Sequence, residues 1–148
     1  MKSPIATHTQ KWLCVEDNIT FQCLIRSILA DQSVKLEFVT HGSDAIDAFS
    51  ANDYTAILID LTLPDMSGLK LIEELSHIER SHSLNHTPMI MLCGQASPKL
   101  EADIYRAGAD GLIEKSITTT QLWPSMSAIN SQNQSHLTKN SANNLRLH

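Results

Sequence analysis

The sequence predicts a doubly wound α/β fold, a five-stranded parallel sheet in the order 2-1-3-4-5 with helices on both faces. Three observations predict it. Short continuous apolar runs such as Ala56-Ile57-Leu58-Ile59 lack the in-out alternation of a half-exposed strand, so they read as strands buried on both faces. Segments of helical period lie between them, and regular alternation of strand and helix implies right-handed crossovers and three layers. Two of the apolar runs end in acids, and the carboxyl ends of strands in an open parallel sheet are where ligands bind.

The elements follow in order. Residues 1–10 have neither hydrophobic period nor turn pattern and are expected to form a flexible arm. Trp12-Leu13-Cys14-Val15 is a buried-strand run that ends in Glu16-Asp17. Asn18 is placed to cap a helix whose apolar face is Phe21, Leu24, Ile25, Ile28 and Leu29. Val34, Leu36 and Phe38 then alternate with Lys35 and Glu37, the pattern of a strand at the edge of the sheet. A short helix over about residues 43–50 follows, and Asn52-Asp53 turns the chain into the strand that carries Asp60.

Pro64, Asp65, Ser67 and Gly68 stop that strand and shape the loop after it. Leu71, Ile72, Leu75 and Ile78 fall at helical spacing, and residues 81–87 read as a polar loop. Met89-Ile90-Met91-Leu92-Cys93 is another buried strand. Ser97 and Pro98 open a helix through Leu100, Ile104 and Ala107 that Gly108 stops. Gly111-Leu112-Ile113-Glu114-Lys115 is a short last strand ending in a base. A final helix starts near Trp123 or is broken by Pro124, and 131–148 is too polar to offset the entropy of ordering. One domain over 11–130 is the expected organisation.

Composition narrows the function. The 148 residues carry a formal charge of −5, with 16 acids against 11 scattered bases, which argues against a nucleic-acid surface. No apolar run approaches the roughly 20 residues of a membrane span, and the first residues lack a signal-peptide core, so a cytoplasmic protein without membrane partners is expected. The three cysteines lack the pairing of a zinc site or disulfide framework; Cys14 and Cys23 read as small packed hydrophobes. His77, His82 and His86 do not share one helix face and read as solvated side chains.

In the order 2-1-3-4-5 the strand tips bring together Glu16, Asp17 and Asp60, with Cys93 and Lys115 arriving from the next two strands. Three adjacent carboxylates repel unless a hard cation sits among them, and an all-oxygen ligand set favours Mg²⁺ over zinc. Beside such a cation Asp60 is able to attack a phosphoryl group, with the metal and the Lys115 ammonium neutralising charge on the transferred oxygens. Asp60 becomes the predicted phosphoacceptor.

These residues give the chain a family resemblance, over about Lys11 to Ile129, to the response-regulator receiver domains of two-component signalling, a flavodoxin-like fold. Glu16-Asp17-Asn18 resembles the family's paired-acid motif, and Asp60 through Pro64 to Gly68 its phosphoacceptor motif. Thr87-Pro88-Met89-Ile90-Met91-Leu92 is similar to its fourth strand, and Gly108-Ala109-Asp110-Gly111 leads to its lysine, Lys115. The resemblance implies that Asp60 takes phosphate from a histidine kinase or histidine phosphotransfer protein. It implies that Asp60 and Asp17 ligate Mg²⁺ directly, Glu16 through water and Thr62 through its backbone carbonyl, while Lys115 pairs with the phosphoryl oxygens. The wording around Glu16 and Asp60 is similar to receivers attached to hybrid kinases.

Three positions depart from the family pattern. Cys93 stands where Thr or Ser is usual and is a much weaker hydrogen-bond donor. Leu112 stands where an aromatic ring usually turns inward on phosphorylation, and Ser116 replaces a proline. The expected protein is a free-standing, phosphorylatable receiver that signals by protein contact with an altered readout. The alternative is a receiver-like binding module that works without phosphorylation. Redox sensing by Cys93 is opposed by nearby carboxylates, which raise a thiol's pKa. A flavin-type cofactor enzyme fits poorly, because Glu16-Asp17 would repel a phosphate after the first strand.

Overall fold

The computed structural model describes residues 10–116 together with Pro124, Ser125, Ser127 and Ala128. The expected arm before Gln10, the region of Trp123 and the tail over 131–148 lie outside the described residues. Strand and helix alternate as β1 (Gln10–Val15), α1 (Ile19–Ile28), β2 (Val34–Val39), α2 (Gly42–Ala51), β3 (Ala56–Asp60), α3 (Gly68–Ser81), β4 (Met89–Cys93), α4 (Pro98–Ala107) and β5 (Gly111–Glu114). All neighbouring strands pair in parallel, in the order β2-β1-β3-β4-β5.

Parity along the strands sorts the core into two layers. Leu13 and Val15 of β1, Ile57 and Ile59 of β3, and Met89 and Met91 of β4 pack under α2, α3 and α4 against Phe49, Leu71, Ile72, Leu75 and Ile104. The intervening Trp12, Cys14, Leu58, Ile90 and Leu92 face the other way, against Ile25 of α1 and Leu29 at its C-cap. A strand with apolar residues on both parities has no solvent face, which is why the central runs are unbroken. Strand β2 keeps its alternation at the sheet edge, with Val34, Leu36 and Phe38 half-buried on the α1 side.

Among helices α1 to α4, helix starts are fixed locally at α1, α3 and α4. Asn18 Oδ1 accepts from the Phe21 N–H at 2.9 Å, and the Ser67 and Ser97 hydroxyls accept from Lys70 and Leu100, both at 3.1 Å. Caps of this kind contribute about 1 kcal/mol each. Gly108 ends α4 with φ of +119°, a left-handed turn that a side chain would strain and that Ser76 Oγ would crowd.

Cys14 is buried as expected, but Cys23 is exposed. Helix geometry explains the difference, since at about 100° per residue Cys23 points roughly 200° away from Phe21 and off the apolar face.

Candidate functional site

Register sets the site. Val15 lies beside Ile59, so the next residues, Glu16 and Asp60, leave the sheet at the same level; Asp60 in turn lies beside Leu92, and Cys93 beside Glu114. The chain direction shared by all five strands thus delivers Glu16, Asp60, Cys93 and Lys115 to one edge. The close approach of the next loop depends on Gly68, whose N–H donates to the Leu61 carbonyl at 2.6 Å. A side chain there would collide with the Asp60 carbonyl oxygen.

Carboxylate oxygens of Glu16, Asp17 and Asp60 all lie within 4.8 Å of one another. Glu16 and Asp60 are buried, and Asp17 is exposed at the mouth. The Lys115 ammonium bridges the two buried acids, 2.6 Å from Glu16 Oε1 and 3.2 Å from Asp60 Oδ2. Burial pushes the Glu16 carboxyl above its ordinary pKa, opposed by Lys115 and by the Asn18 N–H on Oε2 at 3.0 Å, and reinforced by Asp60. Burial alone would lower the Lys115 ammonium, but its pairs with Glu16 and Asp60 outweigh this and hold it above its usual value.

The residues present fit a hard divalent cation. Their donors are all oxygen, and three carboxylates meet one ammonium. Glu16 Oε1 is buried without a hydrogen bond, its contact with Lys115 being an ion pair outside hydrogen-bond geometry.

The site's other predicted members are placed more loosely. Cys93 is buried at the end of β4, and burial raises its thiol, with Glu114 and Asp60 adding to the effect. That environment keeps the thiol protonated and opposes redox reactivity. Thr62 is exposed, with its N–H 3.4 Å from Asp60 Oδ1. Leu112 is half-buried against the layer under α2–α4, and Ser116 is exposed beyond Lys115.

Two residues do more than their sequence context predicts. Asp65 was expected only to shape a loop, yet its carboxylate accepts from Gly42 N and Ser43 N at 2.8 and 3.0 Å and so caps α2 from 23 residues away. Those bonds hold its carboxyl below the ordinary range. His86 is not a solvated histidine. Its ring lies between Asp110 Oδ2 at 2.7 Å and Glu79 Oε1 at 2.8 Å, and these contacts, Asp110 first, raise its pKa to about 10. No sequence spacing announces either contact, because the partners are far apart in the chain, on the first residues of α2 for Asp65 and on α3 and the turn before β5 for His86.

A groove of about 840 Å³ between α3 and α4 lies away from the strand tips. Its charges are largely matched among themselves, with Lys70 on Glu74 and Arg106 on Asp103. At the strand tips, by contrast, three carboxylates meet one ammonium.

An open parallel sheet with a carboxylate cluster and a lysine at its carboxyl edge is the arrangement that the resemblance to receiver domains predicts. The response regulator receiver domain family matches residues 12–126, and the chain belongs to that family. It is 24% identical over 119 residues to the sensor protein GacS of Pseudomonas syringae pv. syringae, covering 80% of this chain and 13% of the relative. It is 30% identical over 103 residues to the transcriptional regulatory protein SrrA of Staphylococcus aureus, covering 70% and 40%. The chain therefore spans well under half the length of these curated relatives. Among solved structures, the receiver domain of a putative Luxo repressor protein from Vibrio parahaemolyticus aligns with a TM-score of 0.73 at 24% identity, covering 86% of this chain and 94% of that one. The chemotaxis protein CheY4 of Vibrio cholerae aligns with a TM-score of 0.73 at 21% identity, covering 82% and 98%. Both share the fold. Among the described residues no helix is long and apolar enough to cross a membrane.

Proposed function

We propose that Asp60 accepts a phosphoryl group from a histidine kinase or histidine phosphotransfer protein, and that the chain passes the signal on by protein contact. One observation carries this reading: Asp60 is a buried carboxylate ringed by Glu16 and Asp17, with the Lys115 ammonium 3.2 Å from its Oδ2. A carboxylate oxygen of Asp60 attacks the phosphorus of a phosphohistidine. The O–P bond forms as the N–P bond breaks, and the imidazole leaves with a proton from solvent. A bound Mg²⁺ would supply charge neutralisation on the transferred oxygens. Asp17 and Asp60 would hold it directly, with the Thr62 carbonyl, and Glu16 through water. Lys115 pairs with the phosphoryl oxygens, a place its present contact with Asp60 already approximates. Similarity to the sensor protein GacS and the sensor histidine kinase GacS supports a histidine-kinase or phosphotransfer partner.

Cys93 modifies the outcome. A protonated, buried thiol offers the phosphoryl group a much weaker hydrogen bond than a hydroxyl. With Leu112 in place of a ring, phosphorylated and unphosphorylated states differ less in free energy, and the population shift is small.

Intact mass after incubation with Mg²⁺ and acetyl phosphate tests the reading. One added phosphoryl group is expected, dependent on Mg²⁺ and abolished in Asp60→Ala, with Cys93→Thr lengthening its lifetime or enlarging the shift it produces. The environment of Cys93 and the aliphatic Leu112 favour a second reading, a receiver-like binding module independent of phosphorylation. No phosphoryl uptake by either wild type or Cys93→Thr, together with partner binding indifferent to Asp60→Asn, would establish that reading instead.

A further inference from the structure

We infer that Phe21 is a positioning residue for Lys115, its aromatic face holding the ammonium over the acid pocket throughout phosphoryl transfer. The inference rests on the proposed phosphoacceptor role of Asp60. A lysine at the end of an edge strand has a four-carbon stem with many rotamers, and nothing in its own backbone aims the charge. Three groups from three elements aim it here: Glu16 after β1 at 2.6 Å, Asp60 at the tip of β3 at 3.2 Å, and the Phe21 ring of α1, whose centroid is 4.7 Å from Nζ.

The three contacts are not equivalent. Glu16 and Asp60 are the groups that a divalent cation engages, and Asp60 is also the group that becomes esterified. Both carboxylate contacts therefore change in the course of the reaction. The ring face attracts the ammonium through its quadrupole and competes for neither the metal nor the phosphoryl oxygens. It is the contact able to persist from the resting state to the phosphorylated one.

Phe21 is itself fixed. Its N–H is the one that the Asn18 cap receives, at 2.9 Å, and its side chain packs against the apolar layer of Ile25 and Leu29. The neighbouring Gln22 Nε2 donates to the Glu16 carbonyl at 2.5 Å, pinning the first turn of α1 to the tip of β1. The apolar period of α1 would be satisfied by leucine at position 21, so helical patterning by itself does not call for an aromatic ring there.

The test compares the full chain with Phe21→Leu, which keeps the packing, and Phe21→Tyr, which keeps the face. Two readouts are taken, the maximal rate of phosphoryl uptake from acetyl phosphate at saturating Mg²⁺ and the NMR shift of the Lys115 ε protons. The expected result is upfield-shifted ε protons in wild type and Phe21→Tyr, lost in Phe21→Leu. Uptake by Phe21→Leu is expected to be about three- to tenfold slower, because an ammonium that is not aimed meets the transferred oxygens in fewer of its conformers. Half-saturation by Mg²⁺ is expected to be unchanged, and Phe21→Tyr to run near wild type.

Lys115 ε protons without an upfield shift in wild type would overturn the inference without any variant having to fold. So would Phe21→Leu phosphorylating at the wild-type rate, or Phe21→Tyr running as slowly as Phe21→Leu. A wild type that takes up no phosphoryl group overturns the proposed function and, with it, the role of the ring in transfer. A wild type that does so, with Phe21→Leu unimpaired, overturns only the role of Phe21.

Discussion

At each end of the central sheet a cation lies between two carboxylates, and the two ends treat it differently. At the amino end His86 bridges Glu79 and Asp110, and every acceptor in contact is used. Glu79 Oε1 receives from His86 and Oε2 from Thr87 N at 2.6 Å, while Asp110 Oδ2 receives from both His86 and Met89 N, at 2.7 and 2.8 Å. At the carboxyl end Lys115 bridges Glu16 and Asp60, a third acid stands beside them, and Glu16 Oε1 is buried with no hydrogen bond. A closed network of satisfied groups stabilises one structure. An open one keeps charge unmatched where a ligand is to bind, at a cost in stability.

Breaking the closed end gives the largest expected effect. His86→Ala leaves the buried Glu79 and the neighbouring Asp110 without their cation, and removing one partner of such a pair costs about 3 kcal/mol. The urea midpoint of the variant is expected to fall accordingly, while Mg²⁺ affinity at the far end stays unchanged. A midpoint within error of wild type would show that the clamp contributes nothing.

The same clamp has a pH signature. The folded pKa of His86, about 10, lies above its ordinary 6.5, so its contribution is fully present below about pH 6.5 and is lost as pH rises through about 10. Stability of the wild type is expected to decline across that window more steeply than that of His86→Gln. Parallel pH profiles for the two proteins would contradict this.

Relieving the open end has a smaller effect, of the opposite sign. Asp17→Asn removes one of three mutually repelling carboxylates, and it lies at the solvent edge, where screening limits the gain to roughly 1 kcal/mol in the metal-free protein. The same change removes a direct ligand and is expected to weaken Mg²⁺ binding by at least about tenfold, the loss seen even for outer-shell partners. Mg²⁺ would then raise the melting temperature of the wild type more than that of Asp17→Asn. Equal shifts would remove Asp17 from the metal site.

The contrast between the ends also explains what the sequence made legible. The fold was readable because each central strand is an unbroken apolar run, and the acid cluster because parallel strands end at one edge, so Glu16 and Asp60 directly follow apolar runs and Lys115 comes one residue later, after Glu114. The closed clamp was not. Glu79, His86 and Asp110 are separated by 7 and 24 residues and meet through loop geometry that no periodicity encodes. Cys23 was misread for a simpler reason, since composition called it apolar while its place on α1 turned it outward.

The least effect is expected at Asp65, where the contrast narrows to a single cap. Helices α1, α3 and α4 are capped by the residue before them, but His41 makes no side-chain cap to α2. The Asp65 carboxylate supplies it instead, from the loop that leaves Asp60. A local cap holds only its helix, whereas this one also holds the loop to α2. Asp65→Ala is therefore expected to speed hydrogen exchange at Gly42 and Ser43 by about an order of magnitude, with the rest of the sheet unaffected. Asp65→Asn keeps one acceptor oxygen and should leave one of the two amides protected. Unchanged exchange at both amides in Asp65→Ala would mean that α2 starts without help from the phosphoacceptor loop, and that the loop is held by its internal contacts, among them the Gly68 N–H on the Leu61 carbonyl and the Thr62–Ser67 bridge.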